Sequence, residues 1–280
     1  MIPYTPSLNC RGQLLALDVP RLMGILNLTP DSFSDGGKYN NTDAALRHVE
    51  QMLAEGADII DIGAYSSRPG ATHITPEEEL ARLRGPVSAI RDRFPEVILS
   101  IDTFRAAVAH PMLQMGVQIV NDIAGGLQDP TLMALAAQHQ APYVLMHMQG
   151  TPQSMQHNPQ YAAVEQEVHA YFVEGLRRAR AAGLGDVMLD PGFGFGKTAE
   201  HNYRLFAHLS TFGLLGAPLL IGISRKSMLT RALGIEPAGS LPVASALHYR
   251  ALCAGVRILR VHDVAAAAAV RTLYQQYGAI

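Results

Sequence analysis

The sequence predicts an α/β fold, a single closed (β/α)8 barrel preceded by a short N-terminal hairpin, and three observations carry that prediction. The chain has 280 residues, the usual size of one such barrel. After residue 20, short apolar runs alternate with longer segments of helical spacing, and the alternation runs through eight units. No break in composition or low-complexity linker marks a second domain. We therefore read residues 1–280 as one TIM-barrel domain, with 1–20 as an N-terminal extension and 21–280 as the barrel. An open, doubly wound sheet of fewer strands is the competing architecture.

Segment 8–18 comes first and reads as a small hairpin that plugs the lower end of the barrel. The strand candidates follow in order: LMGILNL (22–28), DIIDIG (58–63), VILSID (97–102), QIVNDI (118–123), YVLMHM (143–148), DVMLD (186–190), PLLIGIS (218–224) and RILRVH (257–262). Each is nearly continuous in apolar residues, as expected of strands buried on both faces of a parallel sheet. Between them, TDAALRHVEQMLAEG is expected to begin at a Thr42-Asp43 cap and to stop at Gly56. TPEEELARLRGPVSAI has Thr75 as cap, Pro76 in the first turn and acids behind it. The long polar segment 161–182 reads as a solvated outer helix face, and 240–255 and the alanine-rich 264–277 supply the last helices.

Composition narrows the function. Hydrophobic residues make up 48 %, with no apolar run near the ~20 residues of a membrane span. Net charge is −2, so neither a nucleic-acid arm nor an acidic tail is implied, and any anion site must be local. Two cysteines, Cys10 and Cys253, give neither a disulfide framework nor a zinc pattern, which fits a reducing compartment. With no secretory signal visible at the N-terminus, a cytoplasmic protein is the expectation.

The informative pattern is what ends the strands. Asn27, Asp61, Asp102, Asn121, His147, Asp190, Ser224 and the pair Arg260/His262 all lie at or near C-terminal strand ends, which in a barrel converge on one mouth. Buried carboxylates cost free energy unless a ligand or neighbour supplies donors, so something rich in N–H groups should enter. The loops NLTPDSFSDGGKY and AYSSRPGATH are too long for minimal connections and suit a lid or a clamp. Lys226 and Ser227 fall at an expected helix start, where free amides attract negative groups. MLDPGFGFGKT (188–198) looks like a nucleotide loop but fails the phosphate-loop spacing, since Gly192 precedes Gly196-Lys197 by three residues rather than four. Ser224 lacks a nucleophile elbow, and His147 and His157 lack a third ligand for zinc.

Taken together, MGILNLTPDSFSDGG, SSRPGA, SIDT, VNDI, LMHMQGTP, LDPGFGFGK, GISRKS and RVHD resemble, in order and spacing, the dihydropteroate synthase family of pterin-binding barrels. The match runs from about residue 21 to about residue 270. That resemblance implies a transferase of folate biosynthesis, the target of sulfonamides. It would join 6-hydroxymethyl-7,8-dihydropterin pyrophosphate to p-aminobenzoate and release pyrophosphate with the help of Mg2+, as a homodimer. It further implies that Asp102, Asn121 and Asp190 meet the amino-pyrimidine edge of the pterin, that Lys226 donates to ring acceptors, and that Ile123 and Met146 are apolar walls. Asn27 would hold the metal; Ser67, Arg68, Arg260 and His262 would hold the pyrophosphate at the rim. Phe33, Arg68, Pro69, Phe195 and Ser227 would form the p-aminobenzoate pocket. Asp35 and Asp190 would stabilise a cation in a dissociative displacement, with Lys226, Arg260 and His262 completing the catalytic set.

One departure stands out: Ala64-Tyr65-Ser66-Ser67 replaces the family's usual Gly-Glu-Ser-Thr, so a tyrosine stands where an acid is common. Two rival functions share the barrel, a methyl transferase between methyl-tetrahydrofolate and a corrinoid protein and a pterin-binding paralogue without turnover. The first does not need Lys226-Ser227 or the rim cations; the second should have eroded Asn27, Asp31, Phe33, Asp35, Arg68 and Pro69. A generic phosphosugar barrel would leave Asp102, Asn121 and Asp190 without partners.

Overall fold

The computed structural model describes residues 6–29, 38–66 and 73–278. It opens with a two-stranded antiparallel hairpin, β1 (Ser7–Cys10) and β2 (Gln13–Ala16). The connection is Arg11-Gly12, both at positive φ (56° and 99°), the backbone that matches strand twist in a two-residue turn. Arg11 accepts that conformation and then anchors the hairpin, because its guanidinium donates to the carbonyls of Leu113, Val117 and His139.

Eight parallel strands follow, β3 (Arg21–Asn27), β4 (Ile59–Gly63), β5 (Ile98–Asp102), β6 (Ile119–Asp122), β7 (Tyr143–Met146), β8 (Val187–Asp190), β9 (Leu220–Ile221) and β10 (Ile258–Val261). Their order in the sheet is β8-β7-β6-β5-β4-β3-β10-β9, and a single parallel bridge, Leu189 to Leu219, joins the two ends into a ring. β9 is shorter than the apolar run predicts. It lies at this seam, where only that bridge links it to β8, and its ladder with β10 covers two residues.

The helices between strands are α1 (Lys38–Ala54), α2 (Pro76–Arg93), α3 (Ala106–Gln114), α4 (Thr131–Gln138), α5 (Val164–Ala181), α6 (Ala199–Ala207), α7 (Leu209–Phe212), α8 (Ser227–Leu233), α9 (Leu241–Cys253) and α10 (Val264–Tyr277). The α2 start is as expected: Thr75 Oγ1 accepts from Glu78 N at 3.2 Å, and Glu78 returns a bond to Thr75 N at 2.9 Å. The α1 start is not. That helix begins at Lys38, four residues before the Thr42-Asp43 pair, because Lys38-Tyr39-Asn40-Asn41 contains neither Gly nor Pro to stop it. α5 is also not simply a solvated face. Val164, Val168, Phe172, Leu176 and Ala179 recur at helical spacing and are buried against the barrel, leaving the charges on the other side.

Strand alternation separates two cores. Ile60, Ile62, Leu99, Ile101, Val120, Tyr143, Leu145, Leu189, Leu259 and Val261 face the helices. Met23, Ile59, Ile98, Ile119, Val144, Met188, Leu220 and Ile258 face inward and pack on Leu8, Cys10, Leu15 and Leu17 of the N-terminal extension. The hairpin therefore seals one end with apolar side chains, and the polar residues lie toward the other.

Candidate active site

Above the sealed layer, the next inward-facing residues are no longer aliphatic. On β4 Ile59 is followed by Asp61, on β5 Ile98 by Ser100 and Asp102, and on β6 Ile119 by Asn121. On β8 Met188 is followed by Asp190, and on β10 Ile258 by Arg260. The period-two rule thus carries one side of each strand from a plug to a polar floor.

Arg260 is the centre of that floor. Its Nε donates to Asp61 Oδ2 and its Nη2 to Asp102 Oδ2, each at 2.7 Å. Asp61 is fully buried, and its Oδ2 also accepts from Asn121 Nδ2 at 3.0 Å. An ionised carboxylate can only accept, so Asn121 must turn its amide nitrogen toward Asp61, which leaves Oδ1 as its acceptor for a ligand. Arg260 is expected at the rim beside His262; its guanidinium lies instead between two carboxylates of the floor. His262 stands at the end of β10, with its Nδ1 3.3 Å from Ser224 Oγ.

Across the floor, Asp190 Oδ1 accepts from Gly192 N at 2.8 Å. Lys226 caps the N-terminus of α8, directs Nζ to the Phe193 carbonyl, and lies 4.6 Å from the centroid of the Phe195 ring. Asp61, Asp102 and Asp190 make three carboxyl groups, with Arg260 and Lys226 as the bases among them; close by is Lys197, whose pKa burial pushes well below the ordinary lysine value. Burial pushes Asp102 up to about 7, with Arg260 pulling it down and Asp61 adding to the rise. Asp190 is also pushed up by burial against the pull of Lys226. Burial lowers Lys226 to about 8, with Asp190 working the other way.

The walls are apolar. Ile123 and Met146 are buried in one cluster with Phe104 and Ala124, and Tyr65, Met148 and Phe195 pack against it. Tyr65, the family departure, contacts Phe104 edge-on, accepts from Gln153 Nε2 at 2.9 Å, and has the Arg105 guanidinium over its ring. Arg105 is in turn paired with the buried Glu79 at 2.6 Å. An aromatic residue is accommodated here because the nearby charges satisfy one another. Beside these groups is a cleft of about 370 Å³ lined by Tyr65, His73, Phe104, Gln128, Thr151, Pro152 and Gln153.

The structure thus gathers Asp102, Asn121, Ile123, Met146, Asp190, Phe195, Lys226, Arg260 and His262 at one end of the barrel. Asn27 is half-buried at the end of β3, opposite Gly63, and Ser227 is exposed at the first residue of α8. Phe33, Asp35, Ser67, Arg68 and Pro69 lie outside the described residues. Among described residues no group of three His, Cys, Asp or Glu side chains is arranged for a metal ion. The donor chemistry on hand is the Asn27 amide oxygen. It suits magnesium only if the ion keeps waters and takes most of its oxygens from a bound phosphate group.

Asp61 and Lys197 have no role in the sequence pattern. The inward parity of Asp61 with Ile59 signals its place in the floor, whereas no local sequence signal discloses the contacts of Lys197.

A family profile described as "Pterin binding enzyme" matches residues 23–262. Dihydropteroate synthase of Escherichia coli (strain K12) is 45 % identical over 256 residues, covering 91 % of this chain and 90 % of that protein. A Yersinia pestis dihydropteroate synthase solved with a sulfonamide drug complex superposes with a TM-score of 0.91 at 43 % identity, covering 98 % of this chain and 100 % of the other. The Xanthomonas albilineans dihydropteroate synthase solved with 4-aminobenzoic acid gives 0.92 at 40 % identity, covering 99 % and 100 %.

Proposed function

The chain belongs to the pterin-binding enzymes and, among them, to the dihydropteroate synthase family, and from that premise we propose how this site condenses 6-hydroxymethyl-7,8-dihydropterin pyrophosphate with p-aminobenzoate. The products are 7,8-dihydropteroate and pyrophosphate, in folate biosynthesis. One observation carries the reading: Asp61 holds Asn121 so that its oxygen joins Asp102 and Asp190 as a set of acceptors, with the Lys226 ammonium as the donor beside them. A pterin presents amino and ring N–H donors on one edge and a carbonyl and ring nitrogens nearby, so the floor is complementary to it. Charge-assisted bonds of this type contribute about 1.5–3 kcal/mol each. Such donors also relieve the cost of burying Asp102 and Asp190.

The diphosphate would leave toward Arg260, His262 and the loop residues Ser67 and Arg68. Asn27 would hold a magnesium ion there, which when bound neutralises charge on the departing group. An aryl amine is unprotonated at neutral pH, so no strong general base is required. We therefore favour a dissociative course: the bond from the methylene carbon to the diphosphate oxygen breaks, and the dihydropterin ring spreads the positive charge. Asp190 and Asp35 stabilise the cation; the amine nitrogen then bonds to the methylene and gives up a proton to solvent. The p-aminobenzoate ring would rest on Phe195 beneath Phe33 and Pro69, its carboxylate near Ser227 and Arg68.

The test is a pyrophosphate-release assay with both substrates and a mass measurement of the product. Release that depends on the pterin substrate and gives the mass of dihydropteroate supports the reading; release without that product refutes it. Positional isotope exchange in the diphosphate without arylamine tests the dissociative order, and its absence under conditions that let bound pyrophosphate rotate counts against it. Two unbonded cysteines fit a cytoplasmic setting. A homodimer would use outer helices, on which Leu241 of α9 and Leu273 and Tyr277 of α10 are exposed, and sedimentation velocity measures that state.

A further inference from the structure

Lys197 is seven residues beyond Asp190, and only 4 % of its surface is exposed. Its Nζ lies 2.9 Å from His147 Nδ1, 2.9 Å from the Gly192 carbonyl, 3.0 Å from the Phe195 carbonyl and 3.3 Å from the His147 carbonyl. The three carbonyl oxygens can only accept, so the lysine nitrogen is the donor to them, and His147 Nδ1 is its fourth neighbour. The acceptors come from two places, the end of β7 and the β8–α6 loop. One lysine nitrogen therefore fastens that loop to a neighbouring strand.

The loop could not lie there without glycine. Gly192 has φ +66°, and a Cβ on it would come within 1.9 Å of the His147 carbonyl oxygen; at Gly196, φ +62°, the Gln149 carbonyl would be 2.4 Å away. The two phenylalanines between them have different supports. Phe193 is fully buried in the outer core and packs against Phe206, so side-chain packing holds it. Phe195 is half-exposed in the mouth, under the Lys226 ammonium, and joins its cluster only at the edge. What holds its backbone is the bond from Lys197 to its carbonyl and the loop bond from Phe195 N to Gly192 O at 3.1 Å. Lys197 grips both of those carbonyl groups.

We propose that Lys197 is a positioning residue that sets the Phe195 ring through the carbonyls of Gly192 and Phe195, and so governs affinity for the aryl amine rather than for the pterin. This inference rests on the function proposed above. Asp190, which meets the pterin, is held by Gly192 N and by its own strand and shares only Gly192 with the lysine, whereas Phe195 is bonded to it directly, so p-aminobenzoate should respond more strongly than the pterin.

The experiment is a double-mutant cycle in the whole enzyme, with Lys197→Met, Phe195→Ala and the double variant, plus Lys197→Gln, which keeps two N–H donors. In Lys197→Met the KM for p-aminobenzoate should rise by about tenfold while that for the pterin diphosphate changes by less than about twofold. Lys197→Gln should recover part of the loss. In the Phe195→Ala background, Lys197→Met should add less than about a further twofold, because the ring it acts through is gone. Equal rises for both substrates, or full additivity, would overturn the proposal, as would failure of both Lys197 variants to fold. Unmodified protein that makes no dihydropteroate would refute the proposed function itself and the inference with it, an outcome distinct from those failures.

Discussion

Arg260 Nη2 donates to Asp102 Oδ2 at 2.7 Å, while Nε of the same guanidinium is equally close to Asp61. One cation thus holds two carboxylates on neighbouring strands, and 20 % of its side chain is exposed. Replacing it by methionine keeps the packing of the stem but strands both acids. Breaking a buried pair in this way costs about 3–5 kcal/mol. Urea unfolding of Arg260→Met should show that loss at neutral pH and a smaller one as pH falls, since a protonated carboxyl needs no cation. A variant as stable as the parent at pH 8 would mean that the guanidinium does not offset the buried charge.

Asp102 gives a prediction with a sign. Its carboxyl is raised from an ordinary value near 3.8 to about 7, chiefly by burial, so the folded protein holds a proton that the unfolded chain has lost. That contribution to stability is fully present below the unfolded value and disappears as pH rises through about 7. The ligand-free protein should therefore lose stability between about pH 4 and pH 7, and Asp102→Asn should remove that slope. The same variant should bind the pterin diphosphate roughly ten- to a hundredfold more weakly, the worth of one charge-assisted bond. Melting curves across pH and a titration with the pterin substrate read the two effects separately.

Catalysis should be confined between two titrations. The pterin site needs Asp102 ionised, which favours pH above about 7, and Lys226 protonated, which favours pH below about 8. A plot of kcat/KM for the pterin diphosphate should be bell-shaped with a narrow top in that interval. The limb on the alkaline side should move in Asp190→Asn, because the carboxylate of Asp190 is what supports the Lys226 charge. An alkaline limb unaffected by that change would assign it to another group.

Asp61 touches no substrate in the proposed function, yet it faces both Arg260 and Asn121. With asparagine at that position an amide can donate as well as accept, so Asn121 is no longer obliged to present its oxygen upward. Asp61→Asn should weaken pterin binding by about tenfold and leave the KM for p-aminobenzoate near its parent value. Loss of both would point to a general collapse of the floor.

The sequence made much of this legible because two patterns were local. Strands such as VILSID are apolar on both faces, and polar residues such as Asp102, Asn121 and Asp190 interrupt them where the mouth should be. The unread parts depend on distance in the chain. Arg260 and Asp61 are 199 residues apart, so nothing local tells that the arginine dips into the floor instead of staying at the rim. Lys197 reaches His147 only because glycines at 192, 194 and 196 all take left-handed backbone and fold the loop over β7. The early start of α1 and the shortness of β9 have the same origin, since a cap signal is overridden by its neighbours and a strand by the geometry of the ring's seam.

The sealed end should carry stability without carrying activity. Leu17 is fully buried, just past β2, and packs in the inner core beneath Met23, Ile59 and Ile258. That apolar layer lies between it and the floor, where Asp61 and Arg260 follow Ile59 and Ile258 on the same strand faces. Leu17→Ala removes buried methyl groups and leaves a cavity that the surrounding strand ends cannot readily close, which costs about 2–5 kcal/mol. Both KM values and kcat should nevertheless stay near those of the parent at temperatures where the variant is folded, because stability and chemistry occupy opposite ends of the barrel. Unfolding by urea and steady-state kinetics at 25 °C make the comparison. A specific rise in either KM would show that the plug reaches the site through the intervening layer, and the two ends would then have to be treated as one mechanical unit.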